Sequence, residues 1–315
     1  MYKLLKLNDF RQFKDMDISL GKRLTVLAGR NSTGKSTILG ILANSGELKK
    51  KDGTTYADGQ FRAEFSEIFH GSKKYDASGS DRIQIDIVDE NDDQIDYRKF
   101  RTAWQNDNGK DRFRVIPLKM LEDGKKTEAK MQIPVIYLGL SRLFPIGEAN
   151  EDKITTKKIK FIDDEQKQWF VEQYTQILSL YDTVTDVSNY SIGETDKKKG
   201  VGIETDKYDY LTNSSGQDNL GQILMAILSF KRLKKQREEW TGGLLLIDEI
   251  DATLHPAAQK RLIDLLTKEA KVNDIQVVVT THSSDLLKHI CNKTVHNNIN
   301  KNNPVELYYF TNGNR

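Results

Sequence analysis

The residues Gly29-Arg30-Asn31-Ser32-Thr33-Gly34-Lys35-Ser36-Thr37 have types and spacing that suit one chemistry, the holding of a polyphosphate. The pattern is G-x-x-x-x-G-K-[ST], set between an apolar run at 24–28 and another at 38–43. Gly29 and Gly34 let the backbone curl so that successive N–H groups converge on phosphate oxygens. A helix starting near Lys35 adds its positive dipole end. Lys35 reaches the terminal phosphates, and the Ser36 hydroxyl is a ligand for Mg2+. A second set follows in Leu244-Leu245-Leu246-Ile247-Asp248-Glu249, an apolar strand that ends in two acids. Asp248 would hold Mg2+ through its water shell, and Glu249 would orient and deprotonate an attacking water. His282, in Thr280-Thr281-His282-Ser283, ends the next strand, where a neutral imidazole contacts the γ-phosphate or that water. Ser214-Ser215-Gly216-Gln217 opens a long helix with a serine cap. His255, in Leu254-His255-Pro256, reads as a helix-start residue, with an interface role as the alternative.

These groups need elements to carry them. Residues 4–7, 13–20 and 24–28 are strand candidates, and the alternating N-terminus reads as an edge strand. Residues 36–43 form a helix that ends at Asn44-Ser45-Gly46. Between 47 and 130 the chain is polar and uneven, and Gly-rich turns separate pieces that alternate like Arg82-Ile83-Gln84-Ile85-Asp86-Ile87-Val88. That pattern predicts a half-buried antiparallel sheet. Residues 61–69 suit a short helix or a docking segment, and the lysine clusters at 49–51, 73–74 and 125–126 read as solvated loop charges. A buried strand is expected at 133–140, an amphipathic helix at 163–181 and a hairpin loop at 197–202. Helices from Ser214 and from Pro256 bracket the acidic strand, and another buried strand spans 275–280. Alternation of strands and helices around the phosphate loop predicts a largely parallel sheet covered on both faces. No long heptad run occurs, so a coiled-coil arm is excluded.

Composition narrows the classes. The 315 residues hold 48 Lys plus Arg against 46 Asp plus Glu, a formal charge of +2. That is not the charge of a protein coated for nucleic acid, although a local basic face fits inside a balanced total. One cysteine, Cys291, rules out an intrachain disulfide framework and a Cys-rich zinc site, and fits a reducing compartment. No apolar run approaches the roughly 18 residues of a membrane span, and the N-terminus is too short and alternating for a signal peptide. A cytoplasmic protein without a membrane partner is expected.

Phosphate loop, Ser214–Gln217 segment, Asp-Glu strand and histidine occur in the order of the ABC ATPases, with Ser214-Ser215-Gly216-Gln217 resembling their LSGGQ signature. The phrase Asn8-Asp9-Phe10-Arg11-Gln12-Phe13-Lys14 and the phosphate loop resemble the soluble chromosome-maintenance and recombination branch, not transporter subunits. Two further phrases, Tyr137-Leu138-Gly139-Leu140-Ser141-Arg142-Leu143-Phe144-Pro145 and Asp248-Glu249-Ile250-Asp251-Ala252-Thr253-Leu254-His255-Pro256, look like bacterial ATPases related to the overcoming-lysogenisation-defect proteins. The resemblance implies an α/β fold, an ABC-type P-loop NTPase head with a largely parallel core sheet, an antiparallel β subdomain and a helical signature lobe. Residues 1–46 and 242–315 would form the nucleotide-binding core, 47–140 a β-rich insertion plus core strand, and 141–241 the lobe, all in one head spanning 1–315.

Carried residue by residue, the resemblance gives Lys35 the β- and γ-phosphates, Ser36 and Asp248 the Mg2+, Glu249 the general base and His282 the switch. Arg11 is placed near the phosphates. Ser214 and Gly216 act on ATP held by the opposite subunit, and Asp251 lies in the loop between subunits. The implied partners are a second copy in an ATP-sandwiched homodimer or higher oligomer and an effector protein, a nuclease or toxin, of an anti-phage defence module. The alternative is a stand-alone repair or recombination ATPase that binds duplex DNA; a scaffold with a non-hydrolysing site ranks below both, and a transporter subunit last. Two positions depart from the family: Ser215 replaces the signature's first glycine, and Ser141-Arg142 stands where a glutamine is presented to the metal. No nuclease motif follows residue 290 and no His-Asn-His cluster is present, so the chain is not expected to be a nuclease. Its last ten residues read as a strand and a hairpin turn without a return strand, which predicts a natural protein that continues.

Overall fold

The computed structural model describes residues 1–89, 93–193, 199–297 and 304–311. The chain begins with β1 (Tyr2–Leu7) and β2 (Met16–Ser19), an antiparallel pair, and continues into β3 (Leu24–Gly29), whose six residues are all buried. The phosphate loop then enters α1 (Lys35–Ala43). The polar stretch that follows holds α2 (Phe65–Ile68), β4 (Gly79–Val88), β5 (Gln94–Asp107), β6 (Lys110–Met120) and β7 (Lys126–Thr127). After β8 (Val135–Leu138) come β9 (Ile154–Lys158), α3 (Asp164–Leu178), β10 (Val184–Ile192), β11 (Lys199–Thr205) and α4 (Ser215–Gln236). The chain closes through β12 (Gly243–Ile247), α5 (Pro256–Asn273), β13 (Ile275–Thr281), α6 (Ser284–Asn297) and β14 (Val305–Phe310).

The core is a five-stranded sheet in the order β14-β3-β13-β12-β8 with every neighbour parallel. Its residues alternate between two hydrophobic layers, as a strand buried on both faces requires. On β12, Leu245 and Ile247 join Leu224, Ile227, Leu262 and Leu266 of α4 and α5. Leu244 and Leu246 face the other way, into a layer with Ile38, Ile41 and Leu42 of α1 and with Leu5, Ile85 and Phe100 of the antiparallel sheet. That second sheet has the order β2-β1-β4-β5-β6-β7. The expected combination of a parallel core, an antiparallel β subdomain and a helix-rich lobe is therefore the one observed. Among the described residues the longest helix is α4, with 22 residues, and no coiled-coil arm is present. No helix among them is long and apolar enough to cross a membrane.

Two local expectations need correction. The N-terminal strand is not an edge: β1 lies between β2 and β4, because its Leu5 and Leu7 reach the layer under the core sheet while both backbone edges find partners. The lobe is not purely helical, since β9, β10 and β11 form a three-stranded antiparallel sheet packed on α4. The expected last strand is present as β14, which pairs parallel to β3 from Val305↔Leu24 to Phe310↔Gly29. The turn expected after it, at Asn312-Gly313, lies outside the described residues, as do Lys197 and Lys198 of the expected hairpin loop. Residues 61–69 resolve into the short helix α2, with Phe61 buried against Phe230 at 5.5 Å between ring centroids.

Candidate active site

The loop between β3 and α1 is held open by its own backbone. Gly34 has φ 91 and Ser32 φ 60, left-handed conformations that turn consecutive N–H groups toward one concavity. Arg30, Asn31 and Ser32 are exposed, whereas Thr33 and Thr37 are buried, and the Thr33 hydroxyl donates to the Arg30 carbonyl at 2.8 Å. Gly29 is required for a reason other than phosphate approach. At φ 135 a Cβ there would stand 2.2 Å from the Phe310 carbonyl oxygen of β14. Gly34 is confined by its surroundings as well, with a Cβ falling 2.1 Å from Gln12 Nε2 and 2.3 Å from the Phe13 ring. Lys35 is 6% exposed, and its Nζ donates to the carbonyls of Gly29 at 3.0 Å and Arg30 at 2.7 Å. Burial pushes the ammonium's pKa down, opposed by the charges of Asp248, Glu249 and Asp251.

Facing the loop, the C-terminal ends of β12 and β13 form a small network of oxygens. Asp248 is buried, and its Oδ1 accepts from Ser36 Oγ at 3.1 Å and from Thr280 Oγ1 at 2.6 Å. The same Thr280 oxygen accepts from the Glu249 N–H at 2.7 Å. Glu249 has φ 49, an uncommon conformation for a residue with a Cβ, and such strain persists only where neighbours over-determine it. Its carbonyl accepts from Arg142 Nη2 at 3.0 Å and from the Ala252 N–H at 3.1 Å. Its carboxylate is exposed and stands 3.9 Å from His282 Nε2, a separation that one water can span. The His282 N–H in turn donates to Asp251 Oδ1 at 3.3 Å. Thr280→Val keeps the side chain's shape and deletes the hydroxyl. It is expected to cost about 1–3 kcal/mol, because the Glu249 N–H loses its acceptor and the buried Asp248 carboxylate loses one of its two donors. Nucleotide turnover should fall about ten- to hundredfold. A urea midpoint and steady-state phosphate release check the two effects.

Ser214, Ser215, Gly216 and Gln217 stand apart from that cluster, at the start of α4. Ser214 Oγ accepts from the Gln217 N–H at 3.3 Å, and Gln217 Oε1 accepts from the Ser214 N–H at 2.8 Å, a reciprocal capping box. Gly216 packs so closely on the segment between β12 and α5 that a Cβ would lie 2.5 Å from the Thr253 carbonyl. The depression lined by Ser214, Gly216 and Gln217, about 450 Å³, is shared with Thr253, Leu254, His255 and Arg261, and no residue of the phosphate loop lines it. His255 is the N-cap of α5, its Nδ1 accepting from the Ala257 N–H at 3.2 Å. Arg11 is committed elsewhere: its guanidinium binds both Asp76 oxygens, at 3.0 and 3.4 Å, and lies 5.1 Å from the ring centroids of Phe65 and of Phe69. An approach of Arg11 to the phosphates would require that pair to open.

The donor set fits Mg2+ better than a resident transition metal. Ser36 and Asp248 offer hard oxygen ligands side by side, and Mg2+ is commonly held by one or two such groups together with substrate phosphates. No group of three or more His, Cys, Asp or Glu side chains is arranged to hold a metal among the described residues. Two members of the site escape a reading of the sequence. Thr280 was visible only as part of a β-branched run, and Arg142 only as a departure from a glutamine position.

A family model described as "AAA ATPase domain" matches residues 1–211 and 94–287. A curated relative, "Uncharacterized protein MJECL11" of Methanocaldococcus jannaschii, is 44% identical over 46 residues, which is 15% of this chain and 40% of that protein. The chain thus spans less than half the length of that relative. Solved structures similar to it include the SMC head domain from Thermotoga maritima, 14% identical with a TM-score of 0.44 over 91% of both chains. An SmcHead bound to the C-winged helix domain of ScpA is 19% identical with a TM-score of 0.49, over 91% of this chain and 92% of that one.

Proposed function

We propose, from the premise that this chain belongs to the AAA ATPase domain family, that it is an ABC-type ATPase head that closes on ATP as a dimer and opens on hydrolysis. As an ATPase domain it binds and hydrolyses nucleotide. The observation that carries the finer reading is the split between two half-sites. Lys35, Ser36, Asp248 and Glu249 gather around one loop, while Ser214 and Gly216 line a depression without any residue of that loop. A helix N-terminus whose depression is lined by no residue of its own phosphate loop is suited to the phosphates of a second copy.

In this reading Lys35 and the loop N–H groups hold the β- and γ-phosphates, and Ser36 and Asp248 hold Mg2+. The metal supplies charge neutralisation on the phosphates. Glu249 takes the proton of the attacking water, and His282 keeps that water and the γ-phosphate in register. Asp251 links the His282 backbone to the segment against which Gly216 packs. The phrases at 137–145 and 248–256 extend the reading to a bacterial defence ATPase related to the overcoming-lysogenisation-defect proteins, a switch that gates a nuclease or toxin. A cytoplasmic location accords with a chain whose one cysteine is Cys291.

Light scattering of Glu249→Gln with and without Mg-ATP tests the dimer. A nucleotide-dependent doubling of mass is expected. A protein that stays monomeric would remove the role of Ser214 and Gly216 in trans and leave that segment as a helix cap. The same sample with duplex DNA tells a partner-gating switch from a DNA-metabolism ATPase, for which binding would weaken steeply with salt.

A further inference from the structure

Arg142 is 3% exposed and sits in a short turn, Leu140–Leu143, directly after β8. Its hydrogen bonds run in three directions. Nη1 donates to the carbonyls of Leu138 at 3.1 Å and Gly139 at 3.0 Å, Nε to Asn219 Oδ1 at 2.8 Å, and Nη2 to the Glu249 carbonyl at 3.0 Å. Burial pulls the guanidinium down to about 10, against the opposing charge of Asp248 foremost, so it stays protonated at neutral pH. A buried cation is costly unless its donors are satisfied, and a planar fork serving acceptors on separate elements is a task that lysine does not duplicate.

The acceptors form a closed ring. Asn219, fully buried in the first turns of α4, takes the Arg142 bond and donates through Nδ2 to the Ala252 carbonyl at 3.0 Å. The Ala252 N–H returns to the Glu249 carbonyl, which Arg142 also holds. Gln222, on the same face of α4, donates to the Arg142 carbonyl at 3.1 Å. The left-handed backbone of Glu249 and the first turns of the helix that begins at Ser214–Gln217 therefore share one side chain.

We infer that Arg142 is a positioning residue for ATP hydrolysis, fixing Glu249 in its left-handed backbone conformation and making that conformation depend on where the N-terminal end of α4 sits. Movement of α4, for whatever cause, then reaches Glu249 through a bond to its carbonyl. The inference rests on the reading of Glu249 as the general base.

The test compares single-turnover hydrolysis and ATP affinity in Arg142→Met, Glu249→Gln and the double variant. Arg142→Met should lower the chemical rate about ten- to hundredfold with little change in affinity, the pattern of a lost transition-state contribution. In the Glu249→Gln background the same change should cost nothing further, because the residue it positions no longer acts. Losses that multiply, or a rise in KM with kcat intact, would overturn the inference, since a merely structural arginine gives one or the other. An active Arg142→Met beside an inactive Glu249→Gln sinks this inference alone. A fully active Glu249→Gln sinks the reading of the base and this inference with it. Should Arg142→Met not fold, Arg142→Lys carries the comparison: its single ammonium cannot serve Asn219, Glu249 and the two carbonyls together.

Discussion

Glu249→Gln is expected to slow ATP hydrolysis by about 10²- to 10⁴-fold, the range assigned to a positioned general base, while ATP binding stays intact. The argument starts from what the substitution leaves alone. The strained backbone at φ 49 is tied through the N–H to Thr280 and through the carbonyl to Arg142 and Ala252, and none of these bonds uses the carboxylate. His282 Nε2 is 3.9 Å from Oε1, too far for a direct bond. Glutamine has the same shape and can orient a water, but it takes no proton. Stability should therefore match the parent protein, and the loss should appear in single-turnover phosphate release with nucleotide affinity unchanged. Hydrolysis at the parent rate would move the base elsewhere, with His282 the next residue in reach. A loss of affinity in parallel would mean that the carboxylate serves the metal and not the water.

The parts of this site that could be read from the sequence are those that are local in it. Gly29 to Thr37 carries its strand, its turn and its helix within one short stretch, and Asp248-Glu249 ends an apolar run that can only be a buried strand. Thr280 is different. A threonine in a buried β-branched strand looks like packing, and only the parallel pairing of β13 between β3 and β12 brings its hydroxyl between Asp248 and the Glu249 N–H. Arg142 is harder still, because its meaning depends on Asn219 and Glu249, each far away in the chain. The strands show the same division. Alternation at 82–88, in β4, foretold an antiparallel sheet, but the choice of partner for β1 and β14 follows from layers that close only in three dimensions. Gly29 joins both kinds: its place in the motif is local, yet the atom that forbids a side chain there is the carbonyl of Phe310.

Lys35→Met should produce the opposite phenotype, a protein that folds and loses ATP. A hydrogen bond to a charged group contributes about 1.5–3 kcal/mol, so each bond lost to a phosphate oxygen weakens affinity about ten- to hundredfold. The lysine is prepared for that task by its surroundings. Its Nζ donates to the carbonyls of Gly29 and Arg30, and it is buried in the field of Asp248, Glu249 and Asp251. Burial lowers its pKa and those three carboxylates only partly restore it. A triphosphate brings further negative charge and favours the protonated form, so binding is linked to proton uptake wherever the free lysine has begun to lose its proton. The sign follows from that linkage. ATP affinity in the parent protein should fall as pH rises through the lowered pKa of the free lysine, and it should be insensitive to pH well below it. In Lys35→Met the affinity is weak throughout, and this alkaline slope should be absent. Fluorescence titration with a labelled ATP analogue at neutral and alkaline pH measures both effects. Parent-like affinity in Lys35→Met would remove the phosphate role from Lys35, and an unchanged alkaline slope would assign the titration to another group.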